Sequence, residues 1–148
     1  MAPARLLATD APLALERFST SKIRTLADLS TIRTLGFRGE ALAAIAAVAR
    51  LTILTRTAAE LEGTRVTASD GQMAVEPAAS PAGCSVAVSD LFHNIPARRK
   101  FLRTANTEIG HISEQFARIA LPHGPLDLTL THNGKELYRL AKTESLKE

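Results

Sequence analysis

The chain reads as a layered α/β protein, a mixed β-sheet covered by helices on one face. Three observations predict this. Short runs rich in β-branched or aliphatic residues recur at 51–56, 64–69, 84–88 and 126–130, the last three with period two. Two of the runs end in the hairpin dipeptides Asp70-Gly71 and Asn133-Gly134. Between and before the runs lie segments of helical character at 39–48 and 106–121. A length of 148 residues suits one ordinary domain with enough chain to bury a core.

In chain order, residues 1–11 are rich in Ala and Pro and predict a poorly anchored start. Pro12 can open a short helix through Phe18, with Asp10 as its cap. Residues 19–35 are polar, with many Ser and Thr, and hold one small helical patch at 26–32. So long an irregular connection inside a compact domain is often a functional lid. Alanine and leucine then drive the helix at 39–48.

The strand at 51–56 is β-branched and apolar, and 64–69 alternates around Val66 before the Asp70-Gly71 turn leads into 73–75. Cys84, Val86 and Val88 alternate with Ser85, Ala87 and Ser89, which predicts one buried and one lighter face. Pro96 fits the first turn of a short basic helix reaching Arg103, with Phe101 and Leu102 as its anchors to the core. In the helix at 106–121, Ile109, Ile112, Phe116 and Ile119 share one face. Leu126, Leu128 and Leu130 alternate in a strand that Asn133-Gly134 turns into a partner through Tyr138 and Leu140.

Composition narrows the function classes. Apolar content of 45% and charged content of 22% fit a globular domain, and 4% aromatics without Trp leave the core to Leu, Ile, Val and Ala. A net charge of +3 permits contact with nucleic acid or nucleotide without establishing it. The single cysteine, Cys84, excludes an internal disulfide and a multi-cysteine zinc site, and suits a reducing cytoplasm. His93, His111, His123 and His132 lack ligand spacing, so no metal site is assigned to them. The sequence carries neither a signal-peptide pattern nor an apolar run long enough to span a membrane.

The most specific stretch is Gly36-Phe37-Arg38-Gly39-Glu40-Ala41-Leu42. A glycine-punctuated loop opening a helix converges free backbone N–H groups, and the helix dipole favours an anion there. By spacing alone, a glycine turn between two helices is the favoured reading. Arg38 can add charge to a phosphate site or pair with an acidic neighbour. Glu40 would repel a nearby phosphate, which predicts a structural role with its side chain turned away. Thr20, Ser21 and Lys22 offer hydrogen bonds to phosphate oxygens, or form a solvated loop. Arg98, Arg99, Lys100 and Arg103 form a basic cluster that reads either as a DNA-phosphate contact or as a solvated charged face.

As complete strings these segments resemble the MutL family of DNA mismatch-repair ATPases, within the GHKL group that includes gyrase B subunits and histidine kinases. Gly36 to Leu42 is similar to the family's Gly-Phe-Arg-Gly-Glu-Ala-Leu signature. Asp90-Leu91-Phe92-His93-Asn94-Ile95-Pro96-Ala97-Arg98-Arg99-Lys100-Phe101-Leu102 resembles its Leu-Phe-x-Asn-x-Pro-Ala-Arg-x-Lys-Phe-Leu block, and Thr20-Ser21-Lys22-Ile23 its Ala-Thr-Ser-Lys-Ile. The resemblance covers about residues 13–140.

The resemblance implies a two-layer GHKL sandwich, taken here as a partial domain over 1–148 with a nucleotide lid at 19–39 and the remaining sheet and helices at 40–148. It implies ATP and Mg²⁺ as cofactors. Thr20, Ser21, Lys22, Gly36, Phe37, Arg38, Gly39 and Cys84 are its nucleotide positions. DNA, a mismatch-recognition protein and an ATP-dependent homodimer are its implied partners. Two departures stand out. Phe18-Ser19 replaces the common His-Ala, and Gly83-Cys84 replaces a Gly-Thr whose hydroxyl helps bind the adenine end. A thiol is a weaker partner, Ser85 faces the other side of the strand, and Cys84 reads alternatively as a small core residue.

The family's ATPase also uses an Asp-x-Gly-x-Gly motif and a helix bearing a general-base glutamate and a Mg²⁺-binding asparagine. Before residue 19 the acidic residues are Asp10 and Glu16, and the first glycine is Gly36. The chain therefore reads as a fragment truncated at its N-terminus, with no catalytic residue assigned. Three functions compete: part of a mismatch-repair ATPase switch, a non-catalytic remnant that binds DNA or a partner, and another GHKL ATPase. The Pro-Ala-Arg-Arg-Lys-Phe-Leu block disfavours the third.

Overall fold

A computed structural model describes residues 7, 9–20, 23, 25–31 and 39–143. Ser21, Lys22, Gly36, Phe37 and Arg38 lie outside the described residues. The chain divides into two compact units, 1–100 and 101–148.

In the first unit, α1 (Asp10–Leu13) starts after Thr9, so Asp10 is a first-turn acid rather than the cap. A 3₁₀ turn over Leu26–Ser30 marks the helical patch expected in the polar segment, and the Thr25 N–H donates to the Asp28 carboxylate at 2.8 Å. Helix α2 spans Ala41–Ala46, with Glu40 at its N-cap and Gly39 just outside, shorter at both ends than expected. Strands β1 (Arg50–Arg56), β2 (Gly63–Ser69), β3 (Gln72–Ala78) and β4 (Gly83–Ser89) form one sheet in the order β3-β2-β1-β4. Every strand pairing among the described residues is antiparallel. Asp70 (φ 53°) and Gly71 (φ 77°) are both left-handed, which gives the β2–β3 hairpin the primed turn that strand twist demands.

Register sorts the sheet into faces. Met73, Ala68, Leu51 and Val88 form one cross-strand row, and Val75, Val66, Ile53 and Val86 the next. Period-two alternation puts both rows on one face. Leu51, Ile53 and Val66 are buried with Ala11 of α1, and Leu15, Leu42, Ile45 and Ala46 pack against them. The helices thus cover the two central strands. The β4 alternation sets the face correctly but does not bury it, since Val86 is 48% and Val88 47% exposed. After β4, α3 (Pro96–Arg99) has Pro96 in its first turn and ends at Arg99, short of the expected Arg103.

In the second unit, α4 spans Ala105–Ala120. Thr104 caps it, its hydroxyl oxygen accepting from the Thr107 N–H at 3.4 Å. Strands β5 (Leu128–His132) and β6 (Lys135–Leu140) pair through Asn133 (φ 50°) and Gly134 (φ 77°). Leu126 lies before the strand. Phe116 of α4 stacks on Tyr138 of β6 at 6.4 Å between ring centroids. Ile109 and Phe116 are half-buried, whereas Ile112 and Ile119 are exposed, so the expected four-residue apolar face packs in only part.

Candidate nucleotide and nucleic-acid site

Gly39 sits at φ 65°, a left-handed conformation that disfavours a side chain. A Cβ built there would stand 2.7 Å from the Ser19 carbonyl carbon and 2.9 Å from the Ser19 nitrogen. The backbones at 19 and 39 therefore meet. Thr20 is half-buried, as are Gly39 and Glu40. Glu40 makes no side-chain capping bond.

Cys84 is exposed, which corrects its reading as a buried core residue. It pairs in register with Thr55, so both side chains lie on the helix-bearing face. Thr55 is buried at 2% exposure, and its hydroxyl donates to the Gly83 carbonyl at 3.4 Å. Sequence reading overlooked this hydroxyl beside the thiol. Its signal was the period of β1, which places Thr55 in phase with Leu51 and Ile53.

Arg98, Arg99 and Lys100 are exposed on and just after α3, and the Arg98 guanidinium carbon lies 6.0 Å from the Phe92 ring centroid. Arg103 belongs to the second unit. There its N–H donates to Glu108 Oε1 at 3.0 Å, and its Nη1 lies 3.1 Å from His111 Nε2. The four basic residues are thus not one helix face. Phe101 is 84% exposed and Leu102 42%, so neither is the core anchor that the sequence suggested.

The turn ahead of α3 is tightly held. Asp90 (φ 52°) and Phe92 (φ 60°) are both left-handed. The Phe92 N–H donates to the Val48 carbonyl at 2.7 Å, and Asn94 Nδ2 donates to the Ala47 carbonyl at 3.0 Å. Arg50 Nε lies 3.2 Å from Asp90 Oδ2, and His93 Nε2 lies 3.6 Å from Asp70 Oδ1. Among the described residues, no group of three or more His, Cys, Asp and Glu is placed to hold a metal ion. None of the described helices is long and apolar enough to cross a membrane.

The antiparallel sheet with helices over one face is the α/β sandwich of a GHKL-type ATPase domain, as the similarity to solved MutL ATPase domains shows. The chain is 31% identical to the Aquifex aeolicus MutL ATPase domain complexed with ADP, with a TM-score of 0.69 over 84% of this chain and 49% of that one. It is 55% identical to the DNA mismatch repair protein MutL of Proteus mirabilis over 137 residues, and 53% identical to that of Serratia proteamaculans over 140. No protein-family model matches it. The chain belongs to the MutL family, as a segment of its ATPase region. It covers 90% and 92% of itself in those two matches, but spans only 20% and 22% of the relatives' length.

Proposed function

We propose that the chain supplies the lid (19–39) and phosphate-binding loop of an ATP-dependent mismatch-repair switch. The observation that carries this reading is the meeting of Ser19 and Gly39 at the start of α2. A segment pinned at its base can order around a nucleotide without displacing the sheet. In this reading, backbone N–H groups of Gly36 to Gly39 hold the phosphates, Thr20, Ser21 and Lys22 close over them, and Mg²⁺ accompanies the triphosphate. The exposed Cys84 flanks the adenine end, where its thiol is a weak hydrogen-bond partner. The solved relative with bound ADP supports a nucleotide as the ligand class.

Hydrolysis is a separate matter. No catalytic residue is assigned within these 148 residues, so the reading concerns nucleotide binding alone. In the parent switch, ATP would drive dimerisation and coupling to a mismatch-recognition protein.

Titration with a fluorescent ADP analogue tests the reading. Saturable binding, abolished by Gly39→Val in a variant that remains folded by circular dichroism, is the expected result. Absence of binding by the wild-type chain overturns it. The exposed Arg98, Arg99 and Lys100 favour a second reading, a DNA-binding segment without nucleotide. Salt-dependent DNA binding without ADP-analogue binding would select that reading.

A further inference from the structure

Helix α2 opens at the glycine loop, and its C-terminal end is held from outside. The last carbonyls of a helix have no partner within it. Here two of the carbonyls just past α2 are taken by one remote turn, Ala47 by the Asn94 side chain and Val48 by the Phe92 N–H. That turn leads directly into α3. The Ile95 N–H donates to the Phe92 carbonyl at 3.1 Å, and the Ile95 carbonyl accepts from the Arg99 N–H at 3.1 Å. Hydrogen bonds thus run without a break from the end of α2 to the basic residues.

The backbone conformation supports a purpose for this turn. A bulky residue at positive φ is a strained outlier, and Phe92 holds φ 60° two residues after Asp90 at φ 52°. Such conformations persist only where surrounding contacts over-determine them. The Arg50 ion pair on Asp90 and the bond to Val48 supply that constraint.

We propose that residues 90–94 are a clasp that makes α2 and α3 move as one piece, with Asn94 as its positioning residue. A change at the glycine loop would then reach Arg98, Arg99 and Lys100. What drives the clasp rests on the nucleotide reading above, whereas its existence rests on the described contacts alone.

The test compares the full chain with Asn94→Ala and with Asn94→Leu, which keeps about the same size but removes the donor and adds no charge beside Asp70, whose Oδ1 lies 3.5 Å from Asn94 Nδ2. Arg56→Ala, at the opposite end of β1, serves as a stability control. First, amide exchange is followed by NMR without nucleotide. Both Asn94 variants should speed exchange by about fivefold at Ala47, Val48, Arg99 and Lys100 together, as expected for losing one hydrogen bond, while β3 amides stay put. Loosening of α2 without α3, or the same pattern in Arg56→Ala, overturns the clasp.

Second, a non-hydrolysable ATP analogue is added, with its binding measured separately by fluorescence. Slower exchange at Arg99 and Lys100 in the wild type, lost in both Asn94 variants, supports coupling. Analogue binding that leaves those amides unchanged, or changes them equally in all variants, overturns it. If the analogue does not bind, the nucleotide reading and the proposed drive both fail, and the first measurement still decides the clasp.

Discussion

Ser19 and Gly39 stand backbone against backbone, so tightly that a Cβ on Gly39 would come within 2.7 Å of the Ser19 carbonyl carbon. Twenty residues apart in sequence, they form the base of the polar segment assigned to the lid. Gly39 therefore carries two constraints, a left-handed φ and a lack of room. Gly71 carries only the first, because nothing lies within 4 Å of a Cβ built there.

These two glycines separate strain from contact. Gly71→Ala should cost about 1–2 kcal/mol, the left-handed penalty for an L-residue. Gly39→Ala should cost about 2–5 kcal/mol, because overpacking adds to the same penalty. Urea unfolding of both variants measures the difference. Equal losses would mean that the Ser19 contact relaxes freely and that the base of the segment is loose.

The second prediction compares two members of one cross-strand row. Ile53 is fully buried and its register partner Val86 is 48% exposed. Ile53→Ala should destabilise the first unit by about 2–5 kcal/mol. Val86→Ala should cost less than about 1 kcal/mol, since half its surface is already in water. Comparable losses in chemical denaturation would show that the β4 side of this face is packed in solution.

The third concerns the basic residues of α3. Arg98, Arg99 and Lys100 are exposed, and neither Arg99 nor Lys100 has a side-chain ion pair among the described residues. Replacing Arg99 and Lys100 by Ala should flatten the salt dependence of DNA binding by roughly 0.9 log units per lost phosphate contact, with no change in sequence preference. Fluorescence anisotropy at several salt concentrations reads the slope. An unchanged slope removes the DNA role and leaves a solvated face.

The fourth is local to the second unit. Thr104 is the side-chain cap of α4. Thr104→Ala should cost about 1 kcal/mol, and Thr104→Asp should retain most of the stability, because an aspartate accepts the same N–H and complements the dipole. Amide exchange at Thr107 should rise in the alanine variant alone. Faster exchange at β1 as well would show that the two units unfold together.

Several features of this protein are legible in its sequence because they depend on local chemistry. Asp70-Gly71 and Asn133-Gly134 specify primed turns through their tolerance of positive φ, and both adopt them. Alternation in β4 identifies the residues that share a face, and the observed register agrees. The strings at 36–42 and 90–102 identify the family, and relatives more than 50% identical bear that out.

Only the tertiary structure decided how deeply each face is buried and which remote groups meet. Alternation cannot show that β4 is an edge strand, so Val88 stays half exposed while its partner Leu51 is 1% exposed. Residue type cannot show that Gly39 abuts Ser19, that Asn94 reaches across to Ala47, or that Arg103 lies in a different unit from Arg98. Periodicity and turn chemistry act over a few residues and are written in the chain itself. Burial, steric exclusion and long-range hydrogen bonds depend on which segments are brought together, and that is settled only when the chain has folded.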